Sequence, residues 1–305
     1  MGCLSDKKIF IFYCINIKIF IIKVINSTME LLNFKNKPLT IVKNSENKIH
    51  IGDYSGNLFL YDNCKLKLIK NFVNPISGIT FIKSDFYVCD WRGNVYSENK
   101  SVKLSNDICK SICSSDNEIF VSSGAYIFIL STDLEIIKQI RLDNNVSLAT
   151  NKAICMDFFE GALYCGLSVP GILKITKDDE KKFITEKLNT SHTSNILKIK
   201  ILRENNKIKI YTISADCSAR VNDLLIYENE NMWPNYIDDN IICFKNEIYY
   251  IKEKRSQKIR YPLISAVEVN KDYIFITEDR KLVSLNDNED LNCSSDEEFL
   301  KTLKN

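Results

Sequence analysis

Histidine is scarce in this chain: His50 and His192 are the only two among 305 residues. Acid–base chemistry would therefore fall mostly to carboxylates. The one grouping that could form a nucleophile, base and carboxylate relay is His192, Asp216 and a hydroxyl on the stretch between them, Thr212 or Ser214. In that order the hydroxyl would attack, the imidazole would take its proton, and the carboxylate would orient the ring. No glycine-rich phosphate loop, dinucleotide fingerprint, nucleophile elbow or zinc-protease motif accompanies it. Cys109 and Cys113 form the tightest cysteine pair, but they have neither a second pair nor a nearby histidine, so they lack half of a zinc set and no metal or cofactor is expected. Lys252, Lys254, Arg255, Lys258 and Arg260 crowd a short stretch opposed only by Glu253. Such a run could touch RNA phosphates, or it could be a solvated edge that discourages strand-to-strand aggregation.

The elements that would carry these residues are read from pattern. Forty-one Lys and Arg against 39 Asp and Glu give a formal net charge of +2, so no global field draws the chain to nucleic acid, and any RNA would be engaged indirectly. Hydrophobic residues make up 45% and charged residues 26%, the balance of a folded chain rather than of a disordered one. The 11 cysteines are scattered, odd in number and mostly set in apolar runs, which is the usage of reduced core thiols and points to the cytoplasm or nucleus.

Residues 1–28 read as a separate leader. Its apolar run, Ile9 to Ile25, is interrupted by Asn16, Lys18 and Lys23. That run is short and charged for a membrane span, and Asn26-Ser27-Thr28 is a poor signal cleavage site. Two readings stand: a weak anchor, or translated leader ahead of a true start at Met29. A membrane is not an expected partner unless the leader belongs to the native chain. Residues 288–305 read as an acidic tail.

Between them, residues 29–287 are short β-rich runs punctuated by turns, with no sustained helical period. Ile51 to Leu58 (IGDYSGNL) aligns with Val88 to Val95 (VCDWRGNV) at an offset of 37 residues. Asp53, Gly56, Asp90 and Gly93 are the repeated turn positions, where Gly accepts the positive φ of a tight hairpin. Tyr54, Trp91 and Arg92 fall in the same turns and are of the types that dominate binding hot spots.

A third copy, Ser214 to Asp223 (SADCSARVND), resembles the WD-repeat family, whose strand, turn and strand read Ser-x-Asp-x-x-apolar-basic-apolar-Trp-Asp. Only the Trp position departs, at Asn222, and Ser191-His192 stands where that family carries Gly-His. Degenerate copies at 119–130, 162–175, 241–254 and 273–285 bring the count to seven, with equivalent positions at Asp53, Asp90, Ser123, Gly166, Asp216, Lys254 and Asp279. The spacing of about forty residues is that of a four-stranded blade.

The resemblance implies an all-β, seven-bladed β-propeller, closed when the N-terminal strand, Glu30 to Phe34, completes the last blade. It also implies that His192, Thr212, Ser214 and Asp216 belong to a structural hydrogen-bond network rather than a catalytic site. The function implied is a non-catalytic scaffold that docks protein partners in a multi-subunit complex of RNA maturation or ribosome assembly. Alternatives are a non-catalytic subunit of a tRNA methyltransferase, and a propeller esterase of the diphthamide-pathway type.

Overall fold

A computed structural model of the chain describes residues 34–62, 65–142, 151–259, 261–270 and 272–285. These form seven antiparallel sheets, each a meander of consecutive strands. Blade 1 is β1 (Pro38–Lys43), β2 (Ile49–Asp53), β3 (Asn57–Asp62) and β4 (Lys65–Asn71). Blade 2 is β5 (Ile76–Ile82), β6 (Asp85–Asp90), β7 (Asn94–Tyr96) and β8 (Ser101–Lys103). Blade 3 is β9 (Cys109–Ser114), β10 (Glu118–Ser123), β11 (Tyr126–Ser131) and β12 (Ile136–Arg141). Blade 4 is β13 (Ala153–Phe159), β14 (Ala162–Leu167), β15 (Ile172–Lys177) and β16 (Phe183–Leu188). Blade 5 is β17 (Ile196–Glu204), β18 (Lys207–Ser214), β19 (Ser218–Val221) and β20 (Leu224–Glu228). Blade 6 is β21 (Pro234–Ile237), β22 (Ile241–Phe244), β23 (Glu247–Tyr250) and β24 (Arg255–Lys258). Blade 7, among the described residues, is β25 (Leu263–Val269), β26 (Asp272–Thr277) and β27 (Leu282–Leu285).

Sequence pattern explains each strand's place. Second strands such as β2 (IHIGD) and β14 (ALYCGL) are buried at every position, because both faces meet a neighbouring blade. Fourth strands such as β4 (KLKLIKN) and β12 (IIKQIR) are mostly exposed, and their lysines suit a free rim. First strands touch one another in sequence around the molecule, β1 to β5 to β9 to β13 to β17 to β21 to β25, and β25 returns to β1. The chain is therefore a closed seven-bladed β-propeller. No helix among the described residues is long and apolar enough to cross a membrane.

The seam between blades 7 and 1 is a packed core. Ile41, Ile49 and Ile51 of blade 1 bury against Val267, Ile276 and Leu282 of blade 7. Phe34 joins that cluster and meets Phe59 edge-on with ring centroids 5.7 Å apart. On the surface, the Arg280 guanidinium donates to the Lys35 carbonyl at 2.8 Å, and Lys37 faces Glu278 at 3.8 Å. The closing strand expected from Glu30 to Phe34 lies outside the described residues except for Phe34, as do the leader and the acidic tail.

One repeat assignment needs correction. In blade 6 the turn equivalent to Asp53 is Lys245-Asn246, joining β22 to β23, whereas Lys254 sits between β23 and β24. A two-residue hairpin replaced the longer Asp-to-Gly turn, and Lys254 imitates a turn glycine by adopting a φ of 52°.

Candidate functional site

The turns between second and third strands and the connections between blades share one face of the disc. Pairing shows this directly, since Tyr54 N–H donates to Lys37 O and Trp91 N–H to Pro75 O. Asp53 and Asp90 shape the first two turns identically. Asp53 Oδ1 accepts from the amides of Ser55 and Asn57 at 2.9 and 2.8 Å, and Asp90 Oδ1 accepts from Arg92 and Asn94 at 2.8 Å each. Each second carboxylate oxygen takes the Asn side chain, at 2.8 Å from Asn57 and 2.7 Å from Asn94. Gly56 and Gly93 sit at φ 79° and 78° inside these loops. A Cβ on Gly56 would lie 1.9 Å from the Phe72 carbonyl oxygen, so the turn is pressed against the connection to blade 2.

On these turns stand the aromatic candidates. Tyr54 is 52% exposed and meets the half-buried Trp91 edge-to-face, with centroids 5.4 Å apart and planes at 86°. Arg92 is exposed beside them. Sequence reading missed Val73, which is 90% exposed on the connection next to Asn74, whose amide donates to Asp90 at 2.9 Å. Its only signal was an apolar residue inside an Asn- and Pro-containing connection.

In blade 5 the relay residues do come together. His192 Nδ1 lies 3.2 and 3.0 Å from the two oxygens of Asp216, and Nε2 lies 3.0 Å from Thr212 Oγ1. The His192 side chain is fully buried, and Thr212 is 3% exposed. With a neutral ring, Nδ1–H donates to Asp216 and the Thr212 hydroxyl donates to Nε2. Ser214 is not in the relay; its hydroxyl accepts from the Asp216 amide at 3.2 Å. Ser218 and Thr193 were not foreseen: Ser218 Oγ donates to Asp216 at 2.7 Å, and Thr193 N–H donates at 2.8 Å. The spacing Ser214-x-Asp216-x-Ser218 is a hydroxyl–carboxylate turn signature that could have revealed Ser218. Asn222 stands outside this network: its Oδ1 accepts from the Ile210 amide at 2.8 Å.

Two pH windows follow from these surroundings. Burial lowers the His192 imidazole below its ordinary 6.5 despite Asp216, and burial also lowers His50. The unfolded chain then binds protons that the folded one refuses, so stability falls as pH drops through about 6.5. For Asp216 burial works upward, but hydrogen bonds from Ser218, Thr193 and His192 outweigh it and hold the carboxyl at about 2, below its ordinary 3.8. Its contribution is complete above 3.8 and is lost as pH falls toward about 2. Denaturant unfolding across these windows is expected to show both declines, with His192→Gln blunting the first and Asp216→Asn the second. A free energy unchanged between about pH 7 and about pH 5 would contradict the first.

The basic run is dispersed. Lys252 bonds Asn240 Oδ1 at 2.6 Å and faces Asp239 at 3.9 Å. Arg255 lies over the Tyr250 ring at 4.0 Å. Lys254 and Lys258 are exposed, on the turn and on β24, and Arg260 lies outside the described residues. With Tyr273 and Glu268, the Lys252 and Arg255 side chains border a cleft of about 600 Å³ between blades 6 and 7. The seven described cysteines are free, five of them buried. Among the described residues, no cluster of His, Cys, Asp and Glu is placed to hold a metal ion.

Solved structures share this architecture. The chain is similar to an extracellular domain from B. thetaiotaomicron, described as part of the hybrid two component system BT4673, with a TM-score of 0.63 and 13% identity. The match covers 84% of this chain and 39% of that one, so the chain spans well under half of its length. At that identity the likeness is one of fold. No protein-family profile and no curated protein sequence matches the chain.

Proposed function

We propose that this propeller is a non-catalytic, WD-repeat-like scaffold that docks a protein partner on the turn face of blades 1 and 2. The observation that carries the reading is the Tyr54–Trp91 pair, on a face that also carries the exposed Arg92 and the 90% exposed Val73. Aromatic anchors with an arginine and an apolar neighbour are the composition of an interface centre. Two adjoining blades fix this patch, because Asp53 and Asp90 set the turns on which it stands. The resemblance of Ser214 to Asp223 to a WD repeat supports the finer reading of a subunit within a complex of RNA maturation or ribosome assembly, in the cytoplasm or nucleus.

Affinity purification of the full chain with quantitative mass spectrometry tests it. Trp91→Ala, combined with Tyr54→Ala, is expected to lower recovery of the principal partners by about 30-fold, the loss of a hot spot of about 2 kcal/mol. Ile137→Ala, on the exposed rim of blade 3, is expected to leave them in place. Equal recovery from both variants would remove the turn face from the interaction.

A further inference from the structure

Blade 5 is built unevenly. β18 runs for 8 residues but β19 for only 4, because the chain reverses at Asn222-Asp223, both at positive φ (48° and 68°). Asn222 closes the hairpin on Ile210: its N–H donates to the Ile210 carbonyl at 2.9 Å, and its Oδ1 accepts the Ile210 N–H at 2.8 Å. Beyond that point Lys207, Ile208 and Lys209 pair with β17 alone among the described residues, in the register Glu204↔Lys207, Arg203↔Ile208 and Leu202↔Lys209. Backbone groups along an antiparallel strand alternate in direction. Since those of Ile210 point toward Asn222, those of Ile208 point the same way, where no strand pairs with them among the described residues.

That free edge borders a cavity of about 440 Å³ between blades 4 and 5, with an apolar wall of Tyr164, Ile172, Leu188, Ile208 and Ile210 and a polar side that includes Lys174, Glu186 and Asp223. Beside it, Ile208 is 40%, Leu224 73% and Leu225 51% exposed. Lys207 is exposed and makes no ion pair among the described residues, whereas Lys209 faces Glu204 at 3.8 Å.

We propose that the Lys207–Lys209 edge of β18 receives an extended peptide from a partner protein, added as a strand, with an apolar side chain in the cavity and an acidic residue opposite Lys207. An outward N–H and C=O on Ile208 offer a strand's hydrogen bonds, and the adjoining cavity supplies side-chain selectivity; together these are the requirements of strand addition. The exposed cation of Lys207 at the end of the edge favours an acidic residue opposite it. This surface is separate from the Tyr54–Trp91 face.

The probe is a displayed library of random 12-residue peptides selected on the full chain, with enriched sequences then synthesised. The expected sequences alternate apolar residues and carry Asp or Glu. Their binding is expected to slow hydrogen exchange at the Ile208 amide at least about tenfold, and Ile208→Pro, which removes the outward N–H and part of the cavity wall, to weaken them by at least about tenfold, well beyond the loss from Ile208→Ala, which trims the wall and keeps the N–H. Should Ile208→Pro fail to fold, Leu224→Asp on the exposed rim and Lys207→Glu are expected to weaken the same peptides. Trp91→Ala is expected to leave their affinity unchanged, which separates this proposal from the scaffold reading. Failure to enrich any peptide, protection located elsewhere, or an edge already occupied by a second copy of the chain in sedimentation would overturn it.

Discussion

Replacing Gly56 by alanine is expected to cost roughly 3–4 kcal/mol, far more than a methyl group on a surface turn ordinarily does. Two penalties combine. At φ 79° any L-residue pays left-handed strain, about 1–2 kcal/mol. The new Cβ would also sit 1.9 Å from the Phe72 carbonyl oxygen and 2.8 Å from that of Asn74, so backbone rather than a flexible side chain must give way. Forced repacking of that kind adds about 1–3 kcal/mol. Gly161 provides the control, with the same φ of 79° and no atom within 4 Å of its would-be Cβ. Gly161→Ala is expected to pay the strain alone, about 1–2 kcal/mol. Denaturant midpoints of the two variants compare the effects directly, and equal losses would mean that the blade 1 turn relaxes freely. Because the displaced connection carries Val73 and Asn74, Gly56→Ala should also weaken whatever binds the turn face.

Asp216→Ala is expected to lower stability by about 3 kcal/mol, through donors left without an acceptor in a buried place. His192 Nδ1–H, the Ser218 hydroxyl and the Thr193 amide all lose Asp216; Nδ1–H can fall back on Ser218 Oγ at 3.0 Å and the exposed Thr193 amide can turn to water, but the buried Ser218 hydroxyl proton loses its carboxylate acceptor. For a domain of this size the melting temperature should drop by roughly 6–12 °C. Asp216→Asn, which keeps the shape and one acceptor, should lose less than half as much. The same variants separate a stitch from a catalytic relay. If Thr212, His192 and Asp216 only hold the turn, stability falls and no esterase activity is there to lose. An esterase activity abolished in Asp216→Asn at an unchanged melting temperature would instead assign Thr212 as a nucleophile.

The fold was legible wherever a turn used residues whose chemistry demands it. Asp53 and Asp90, with their Gly-Asn partners, announced blades 1 and 2 because a carboxylate accepting two amides needs that spacing. Elsewhere the turns place residues such as Lys83, Leu134, Glu160 and Lys254 at positive φ, positions where sequence reasoning looks for Gly or Asn. Blade 6 was therefore misaligned at its turn although its strands were in place. In blade 5 the period of two puts Thr212 and Ser214 on one face of β18, so spacing alone could not decide between them. Packing decides: His192 reaches Thr212, and Ser214 is drawn to the backbone of the turn. Val73, Leu224 and Leu225 were illegible for the opposite reason, since an apolar residue in sequence carries no sign of whether the fold will cover it.

The seam between blades 7 and 1 also governs how the protein reaches this shape. Each sheet is a run of hairpins between neighbours in sequence, so all seven described sheets can form from local contacts that carry little loop-closure entropy. The seam differs, because its bond from Arg280 to Lys35 joins residues 245 apart. Closing so long a loop costs only slowly more with length, about 0.6 kcal/mol for each doubling, and is offset once Ile41, Ile51, Val267 and Ile276 come together. Until then both ends of the stack present apolar faces to water. Ring closure is thus expected to come late in folding, and the interval before it is expected to be when the chain is most open to pairing with another molecule of itself.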